Sequence, residues 1–323
     1  MKNRIIITGC CGFIGFSFCK RLLKNKNNTI IGIDIVNDYY DVNLKKNRLK
    51  LLNKHNNFYF KKIDISNYLI LKKNFQKKIK SIYHFAAQAG VQHSIKSPKT
   101  YMDSNLNGFF NIIELARIYK IKKIFYASSS SVYGDSKIFP VKENFNLFPK
   151  NFYGLTKKTN EEMAEIFSNY YNIKIIGLRF FTVYGPWGRP DLVIIKLIES
   201  YFKKKIFYLN NYGNHIRDFT YIDDVVKIIL KLSEIDFKKN HNIFNICSSN
   251  PISLKNLIKI FIKFEGKPLI KKRKFQVGDI LKSFGSNQKL ITNLKSFKFT
   301  KFETGILNTI KWYKIYNKIK LSK

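Results

Sequence analysis

The chain has 323 residues, 45% hydrophobic and 15% aromatic, enough apolar matter for a sizeable core, so a disordered or low-complexity scaffold is excluded. Lys and Arg number 59 against 21 Asp and Glu, a formal charge of +38 that points first to a polyanion such as nucleic acid or an anionic membrane. A competing reading is compositional: only eight of the basic residues are Arg, and the abundant Lys, Asn, Ile, Phe and Tyr all have AT-rich codons.

At about 150 residues per domain, the length suits two domains or a large domain with a smaller appendage. No apolar run approaches the ~18–20 residues that span a bilayer. The N-terminus runs through Ile5-Ile6-Ile7 into a glycine-rich turn, unlike a signal peptide, so a cytoplasmic chain is expected. Cys10 and Cys11 are adjacent, Cys19 and Cys247 stand alone, and no CxxC spacing suggests zinc; the four are read as small residues in tight space. His55, His215 and His241 show no ligand spacing, so no metal is expected, and His84 is read as core.

In chain order the sequence predicts a strand at Arg4–Thr8, a helix at Phe13–Lys24 and a strand at Thr29–Asp34. A polar helical insertion (Val42–His55) precedes strands at Phe58–Ile63, Ser81–Ala86 and Lys123–Ser128. Helices are expected at Met102–Tyr119 and Tyr153–Tyr171, with a strand at Lys174–Phe180. This alternation implies an α/β fold with a doubly wound parallel sheet of Rossmann type. From Thr182 the pattern breaks into a Gly/Pro loop, Tyr184–Pro190, then helices at Leu192–Lys205 and Leu254–Phe264 and an extended piece at Ile243–Cys247. The expected division is a dinucleotide-binding domain over 1–181, with a returning segment at about 215–248. A smaller C-terminal substrate-binding domain takes 182–214 and 249–323.

Gly9-Cys10-Cys11-Gly12-Phe13-Ile14-Gly15 lies between the first strand and the first helix. Such glycines let the backbone turn sharply and approach a pyrophosphate facing the helix N-terminus. The spacing is GxxGxxG, and glycine triplets alone also mark ordinary turns. The second strand adds Asp34, 19 residues after Gly15, where a carboxylate accepts from an adenosine ribose; taken alone it caps a turn equally well. No basic residue precedes Lys45 after it, which favours NAD over NADP.

Tyr153-Gly154-Leu155-Thr156-Lys157 opens a helix, and the i, i+4 spacing puts Tyr153 and Lys157 on one face. A phenol with an ordinary pKa near ~10 is a poor base at neutral pH, and an ammonium beside it stabilises the phenolate. The run Ser128–Ser131 ends a predicted strand, with Ser129 24 residues upstream of Tyr153, and offers a hydroxyl to relay the proton. Asp223 and Asp224 precede Val225-Val226 and are read as a helix cap.

With these segments assembled, the chain resembles an extended short-chain dehydrogenase/reductase of the NAD-dependent nucleotide-sugar epimerase/dehydratase group, and within it the UDP-glucuronate 4-epimerases. The likeness is carried by TGCCGFIG (Thr8–Gly15), IDIVNDYYD (Ile33–Asp41), HFAAQAGV (His84–Val91), YASSSSVYG (Tyr126–Gly134), YGLTK (Tyr153–Lys157), LRFFTVYGPWGRPD (Leu178–Asp191) and RDFTYIDD (Arg217–Asp224), spread over about two-thirds of the chain. The resemblance implies Tyr153 as base, Lys157 as its partner and ribose ligand, and Ser129 as the third catalytic group. It places NAD on Gly9, Gly12, Phe13, Ile14 and Gly15, on Asp34, Asn37, Asp64 and Ile65, and on Ala86, Ala87, Gln88 and Asn105.

The implied reaction is transient oxidation at C4 of a UDP-sugar, turning of the 4-keto sugar, and return of hydride to the other face. A 4-keto uronic acid is a β-keto acid prone to lose carbon dioxide, so its carboxylate must be held away from that orientation. An Arg fork with hydroxyls suits a carboxylate. Matched by motif, the candidates are Arg189 and Thr182 with Ser130 and Ser131; a loop arginine bonding carbonyls is the plainer reading of Arg189. Arg217 matches a diphosphate contact, and Asn210 and Asp279 are candidates for uridine or ribose. Family members commonly dimerise through the helix bearing the Tyr/Lys pair, so a homodimer is expected.

Two segments depart from the glucuronate pattern: Gln92-His93 stands for Arg-Tyr, and Ile280–Ser286 replaces Pro-Ala-Thr-Tyr-Ala-Asp-type sequence. Both put the sugar preference in doubt and keep a UDP-hexose or UDP-N-acetylhexosamine 4-epimerase as rival. A 4,6-dehydratase fits less well, because that branch carries Thr-Asp-Glu where this chain reads Ser129-Ser130-Ser131. Lys is scattered over nearly every polar segment, with the densest run only Lys271–Lys274, so the charge is read as compositional and neither nucleic acid nor membrane is expected as partner.

Overall fold

The computed structural model describes residues 3–75, 78–275 and 280–320. The chain divides into two units: 1–134, 143–180 and 233–245 form the first, and 135–142, 181–232 and 246–323 the second.

The first unit holds a seven-stranded sheet. Its strands are β1 (Asn3–Thr8), β2 (Asn28–Asp34), β3 (Phe58–Lys62), β4 (Ile79–His84), β5 (Lys123–Ser129), β6 (Lys174–Phe180) and, later in the chain, β10 (His241–Ile246). The order is β10-β6-β5-β4-β1-β2-β3. Pairing is parallel from β3 through β6. The sequence explains this arrangement. Parallel strands covered on both faces read as near-continuous β-branched runs, and Ile6, Ile82, Ile124 and Ile175 stand in register across four strands, each fully buried. At about 1.5–3 kcal/mol for each fully buried side chain, the four contribute about 6–12 kcal/mol of gross burial to the sheet's centre.

The helices of this unit are α1 (Phe13–Leu22), α2 (Val42–Leu52), α3 (Tyr68–Lys73), α4 (Val91–Lys96), α5 (Pro98–Tyr101), α6 (Gly108–Ile118) and α7 (Phe152–Tyr171). Phe109, Ile112 and Ala116 of α6 and Ala164 of α7 join the isoleucine row in one cluster. Asn151 caps α7, its side chain accepting from Gly154 N at 2.9 Å, and Asn172 ends the helix in the left-handed region. Capping of this kind is worth about 1 kcal/mol and fixes where Tyr153 enters the helix.

The helix expected over Met102–Tyr119 is broken: a π-helical turn, Met102–Asn107, precedes α6. Gly108 follows it, and a β-carbon there would lie 2.6 Å from Ile65 Cδ1, so a larger residue would require that side chain to move. The strand expected to reach Ala86 ends at His84.

The second unit carries β7 (Thr182–Tyr184), α8 (Val193–Phe202), β8 (Phe207–Leu209), β9 (Ile216–Tyr221), α9 (Ile222–Glu234), β11 (Pro251–Ser253), α10 (Leu254–Phe264), β12 (Ile270–Lys272), β13 (Lys282–Ser283), α11 (Gln288–Leu294) and α12 (Phe302–Tyr316); α9 runs on to the start of the returning piece. β9 pairs with β7 and β13 in parallel and with β11 antiparallel, and β12 pairs with β8. Tyr184, Phe219 and Phe302 pack at ring separations of 5.3–6.0 Å.

The returning segment is therefore 233–245 rather than 215–248: residues 216–221 spend their backbone on β7, β11 and β13 and stay in the second unit. Asp223 and Asp224 lie inside the first turn of α9 rather than ahead of it, and Asp224 accepts from Thr300 N and Oγ1 at 2.7 and 2.9 Å. Among the described residues no helix is long and apolar enough to cross a membrane.

Candidate active site

The glycine loop turns at Gly9, with φ at +70°, a conformation open to glycine. A β-carbon there would also meet Ala86 N at 2.6 Å, and one at Gly15 would meet Gly9 O at 2.1 Å. The loop is thus pressed between the end of β4 and the first turn of α1, which starts at Phe13 with Gly12 as its cap. The leading N–H groups of a helix lack intrahelical partners and favour an anion there.

Asp34 closes the adjoining side: Oδ2 accepts from Cys11 N at 2.9 Å and Oδ1 from Val36 N at 2.8 Å. A carboxylate has about four lone-pair sites, so both oxygens retain capacity for ribose hydroxyls. The cradle of glycines and the aimed carboxylate fit a dinucleotide.

The remaining cofactor candidates divide. Asn105 clips the segment after β4, accepting from Gln88 N at 2.7 Å and donating to Gln88 O and Thr156 Oγ1. Thr8 Oγ1 takes Ala86 N and meets buried His84 Nδ1 at 2.8 Å. Burial, with Lys157 nearby, holds His84 down at about 3, so its imidazole is neutral. Ile65 is buried, and its carbonyl accepts from Asn111 Nδ2. Asp64 is exposed and bonded to Ser66. Asn37 accepts from Lys45 Nζ through its carbonyl and side chain.

Sequence reading missed Lys45 and Arg48, because α2 looked like a polar insertion. Both are buried. Arg48 Nη1 donates to Cys11 O at 2.8 Å and Tyr40 OH at 2.7 Å, bracing the glycine loop. Burial lowers the Lys45 ammonium, and the Asp34 carboxylate opposes that shift. Two charges at i, i+3 followed by an apolar stripe were the available signal. Cys10, Cys11 and Asp34 also bring three potential metal ligands within 4.8 Å of one another, a proximity that sequence spacing did not show. All four cysteines are buried free thiols, as their reading as small packing residues implied.

Lys157 is 1% exposed, and its Nζ donates at 2.8 Å to Ala127 O, two residues before Ser129 on β5. The ammonium sits 6.0 Å from the centroid of the Tyr153 ring, so the i, i+4 spacing does bring the pair together. Burial lowers Lys157 to about 8, against the pull of the Glu161 carboxylate. Ser129 Oγ donates to Ser131 Oγ and accepts from Ser131 N, both at 3.2 Å. Ser130 opens the short 3₁₀ turn that follows.

Glu161 and Arg179 went unassigned in the sequence. They form a buried pair at 2.7 Å, at 4% and 3% side-chain exposure. An arginine inside an apolar strand must find a partner, and Glu161 continues the Tyr153–Lys157 stripe by four residues.

Ser130 and Ser131 lie in the first unit, and the other described sugar-side candidates belong to the second. Thr182 opens β7, in register with Phe219. Arg189 forks onto Asp191, Nε to Oδ1 at 2.9 Å and Nη2 to Oδ2 at 2.6 Å, and this holds the Asp191 carboxyl down despite its burial. Arg217 Nη1 donates to the carbonyls of Ile216 and Leu281 at 3.0 and 3.1 Å. Asn210 begins a 3₁₀ turn after β8, and Asp279 lies outside the described residues.

The departures from the glucuronate pattern have structural work: His93 packs at 4.9 Å on Tyr39 with the rings tilted by 53°, and Phe284 O and Ser286 N bond the backbone of Val141. Asp218, also missed, is fully buried and accepts from Ser248 N and Oγ and Ser249 N; burial raises it to about 6.

A parallel sheet with a glycine turn at β1, a carboxylate ending β2 and a Tyr/Lys pair beside the end of β5 defines a dinucleotide-dependent enzyme of the short-chain dehydrogenase/reductase class. The match is specific: residues 5–247 fit the model of the NAD dependent epimerase/dehydratase family, and the chain belongs to that family. It is 38% identical to protein CapI of Staphylococcus aureus, over 98% of this chain and 99% of that protein. It is 35% identical to the UDP-glucuronate 4-epimerase of Thermodesulfobacterium geofontis, over 96% and 95%. The solved UDP-glucuronic acid 4-epimerase of Bacillus cereus, in complex with UDP-glucuronic acid and NAD, superposes with a TM-score of 0.90 at 29% identity, covering 97% of this chain and 99% of that one.

Proposed function

We propose that the protein is a cytoplasmic UDP-sugar 4-epimerase that converts UDP-glucuronate and UDP-galacturonate into one another. The observation that carries this reading is the Tyr153–Lys157 pair anchored at the end of β5, in a family member that retains the run Leu178–Asp191. NAD, when bound, supplies a reversible hydride acceptor. Gly9, Gly12 and Gly15 leave room for its pyrophosphate beside the first turn of α1, and Asp34 takes ribose hydroxyls.

Tyr153 removes the proton of the 4-hydroxyl at its phenolic oxygen and returns one at the close of the cycle. Lys157 lowers the cost of the phenolate, and Ser129 holds the oxygen at C4. Holding a proton acceptor in place in this way contributes typically about 10²–10⁴-fold.

Thr182, Arg189 and the serines Ser130 and Ser131 are assigned to the sugar and its carboxylate, and Arg217 to the diphosphate. The Arg189–Asp191 fork supports the carboxylate role, since it displays the bidentate geometry a uronate would use in exchange for Asp191. A homodimer is proposed through α6 and α7: Phe110, Leu155, Ile166 and Tyr170 are all exposed there. Sedimentation of wild type against Ile166→Asp tests it, with a monomeric wild type as the contrary result.

The deciding experiment incubates purified protein with a panel of UDP-sugars. The expected result is UDP-galacturonate from UDP-glucuronate without added NAD and without decarboxylated product by mass spectrometry. Turnover confined to neutral or N-acetylated sugars overturns the uronate assignment.

A further inference from the structure

The Lys157 ammonium is buried, and its bonded partner is a neutral carbonyl, Ala127 O. One turn further along α7, Glu161 seats on the next residue of the same strand: Oε1 accepts from Ser128 Oγ at 2.5 Å. Arg179 Nε reaches the same Oε1 at 2.9 Å, and Nη2 reaches Oε2 at 2.7 Å. Ser128 and Arg179 are register partners across β5 and β6, so Glu161 clamps both strands at one level. The network runs on through Arg179 Nη1 to Tyr133 OH at 2.7 Å, then to Asn245 Oδ1 at 2.7 Å on β10. Three strands are thus tied to the helix that carries Tyr153 and Lys157, just below Ser129.

We propose that Glu161 is a positioning residue for this reaction: its carboxylate fixes α7 against the end of β5 and supplies the buried negative charge that Lys157 needs. The inference rests on the reading of Tyr153 and Lys157 as the proton-transfer pair. Mere register could be kept by an apolar contact, and replacing a buried ion pair by apolar residues is often neutral or stabilising. An ion pair here has the further consequence that Lys157 keeps an anion within its own helix face. The other groups bearing on Lys157 and Glu161 are the neutral His84 on β4, the phenol Tyr126 on β5, which burial keeps un-ionised, and the cationic Arg179 on β6; none of these supplies a negative charge, and the Tyr153 phenolate is the group that Lys157 serves.

The sign follows. Burial lowers the Lys157 pKa and Glu161 raises it, so the cation is lost as pH rises through about 8, and without Glu161 it is lost at lower pH. Activity falls when that proton leaves, because the phenolate loses its partner. In Glu161→Gln the alkaline limb of kcat moves acidward by about one pH unit, a loss of about tenfold in kcat above the limb relative to wild type. The KM for the UDP-sugar stays within twofold, and Glu161→Asp restores the limb toward its wild-type position.

The enzyme is assayed with its bound NAD, with melting temperature and NAD content measured alongside. If Glu161→Gln does not fold, the double variant Glu161→Gln, Arg179→Met removes both buried charges, and an acidward limb in it supports the proposal. A profile that drops in height while its limbs stay in place, in whichever variant folds, overturns it and leaves Glu161 structural. Wild type inactive on every UDP-sugar of the panel would instead fail the functional reading. The Glu161 proposal would then be judged by phenol ionisation, read as the 295 nm absorbance step that Tyr153→Phe abolishes: that step moves to higher pH in Glu161→Gln if Glu161 keeps Lys157 charged, and stays in place or moves acidward if it does not.

Discussion

The candidate residues of the two units are held in opposite ways. In the first, the groups that frame the redox centre reach far along the chain, Lys157 to Ala127, Glu161 to Ser128, Asn105 to Gln88 and Asp34 to Cys11, although Ser129 and Asp64 bond residues two away. In the second, Arg189 bonds the carboxylate two residues away, and Arg217 bonds the carbonyl of its own neighbour as well as Leu281. Long-range anchoring fixes a group relative to the sheet, as proton and hydride transfer require. A fork satisfied by a near neighbour exchanges partners by rotamer change. An epimerase needs both, because its redox centre must stay fixed while the sugar turns over.

The largest effect tests the fixed half. Tyr153→Phe removes one hydroxyl from a ring packed edge-on to Tyr101 at 6.1 Å. Epimerisation should fall by about 10²–10⁴-fold, with NAD content and melting temperature unchanged. Normal turnover would sink the base assignment.

Gly9→Ala comes next, because the added carbon has no room. The obstructing atoms are backbone, Ala86 N and the Phe85 carbonyl carbon, and the left-handed φ adds strain of about 1–3 kcal/mol. The variant should melt at lower temperature and be purified with less NAD than wild type. Full occupancy would show that the loop does not hold the cofactor.

The same contrast explains what was legible in the sequence. Gly9, Gly12 and Gly15, Asp34 and the Tyr153–Lys157 pair lie within single strand–turn–helix units, where spacing along the chain is spacing in space. Lys45, Arg48, Glu161 and Arg179 act across elements, and no local period brings α2 to the glycine loop or β6 to α7. The π-helical turn at Met102–Asn107 was hidden because six residues are too short a stretch for an apolar period to distinguish one helix type from another. The second unit's boundary at 233 was hidden because β9 has the apolar look of a parallel strand but pairs with short strands of its own unit.

Arg189→Ala sharpens the comparison on the exchangeable side. A charged hydrogen bond is worth about 1.5–3 kcal/mol, or roughly 10–100-fold. The kcat/KM for UDP-glucuronate should fall by that factor and for UDP-glucose far less, with NAD content unchanged. Asp191→Asn frees the same fork and should raise uronate affinity. Equal losses on charged and neutral sugars would mean that Arg189 only shapes its loop.

The smallest effect asks whether the fixed half is also selective. Asp34 faces a region where Lys45 and Arg48 are already buried, so discrimination against a 2′-phosphate rests on one carboxylate set against two cations. In Asp34→Ser the like-charge repulsion is gone and the cations remain. The ratio of NADP to NAD affinity, measured by titration of cofactor-stripped protein, should rise about tenfold, since Lys45 keeps bonds to Asn37 that limit its reach. Arg48 is committed to Cys11 O and Tyr40, so adding Lys45→Met should abolish the gain. A gain that survives loss of Lys45 would move the phosphate contact to the first turn of α1 and make the glycine loop, rather than α2, the selective element.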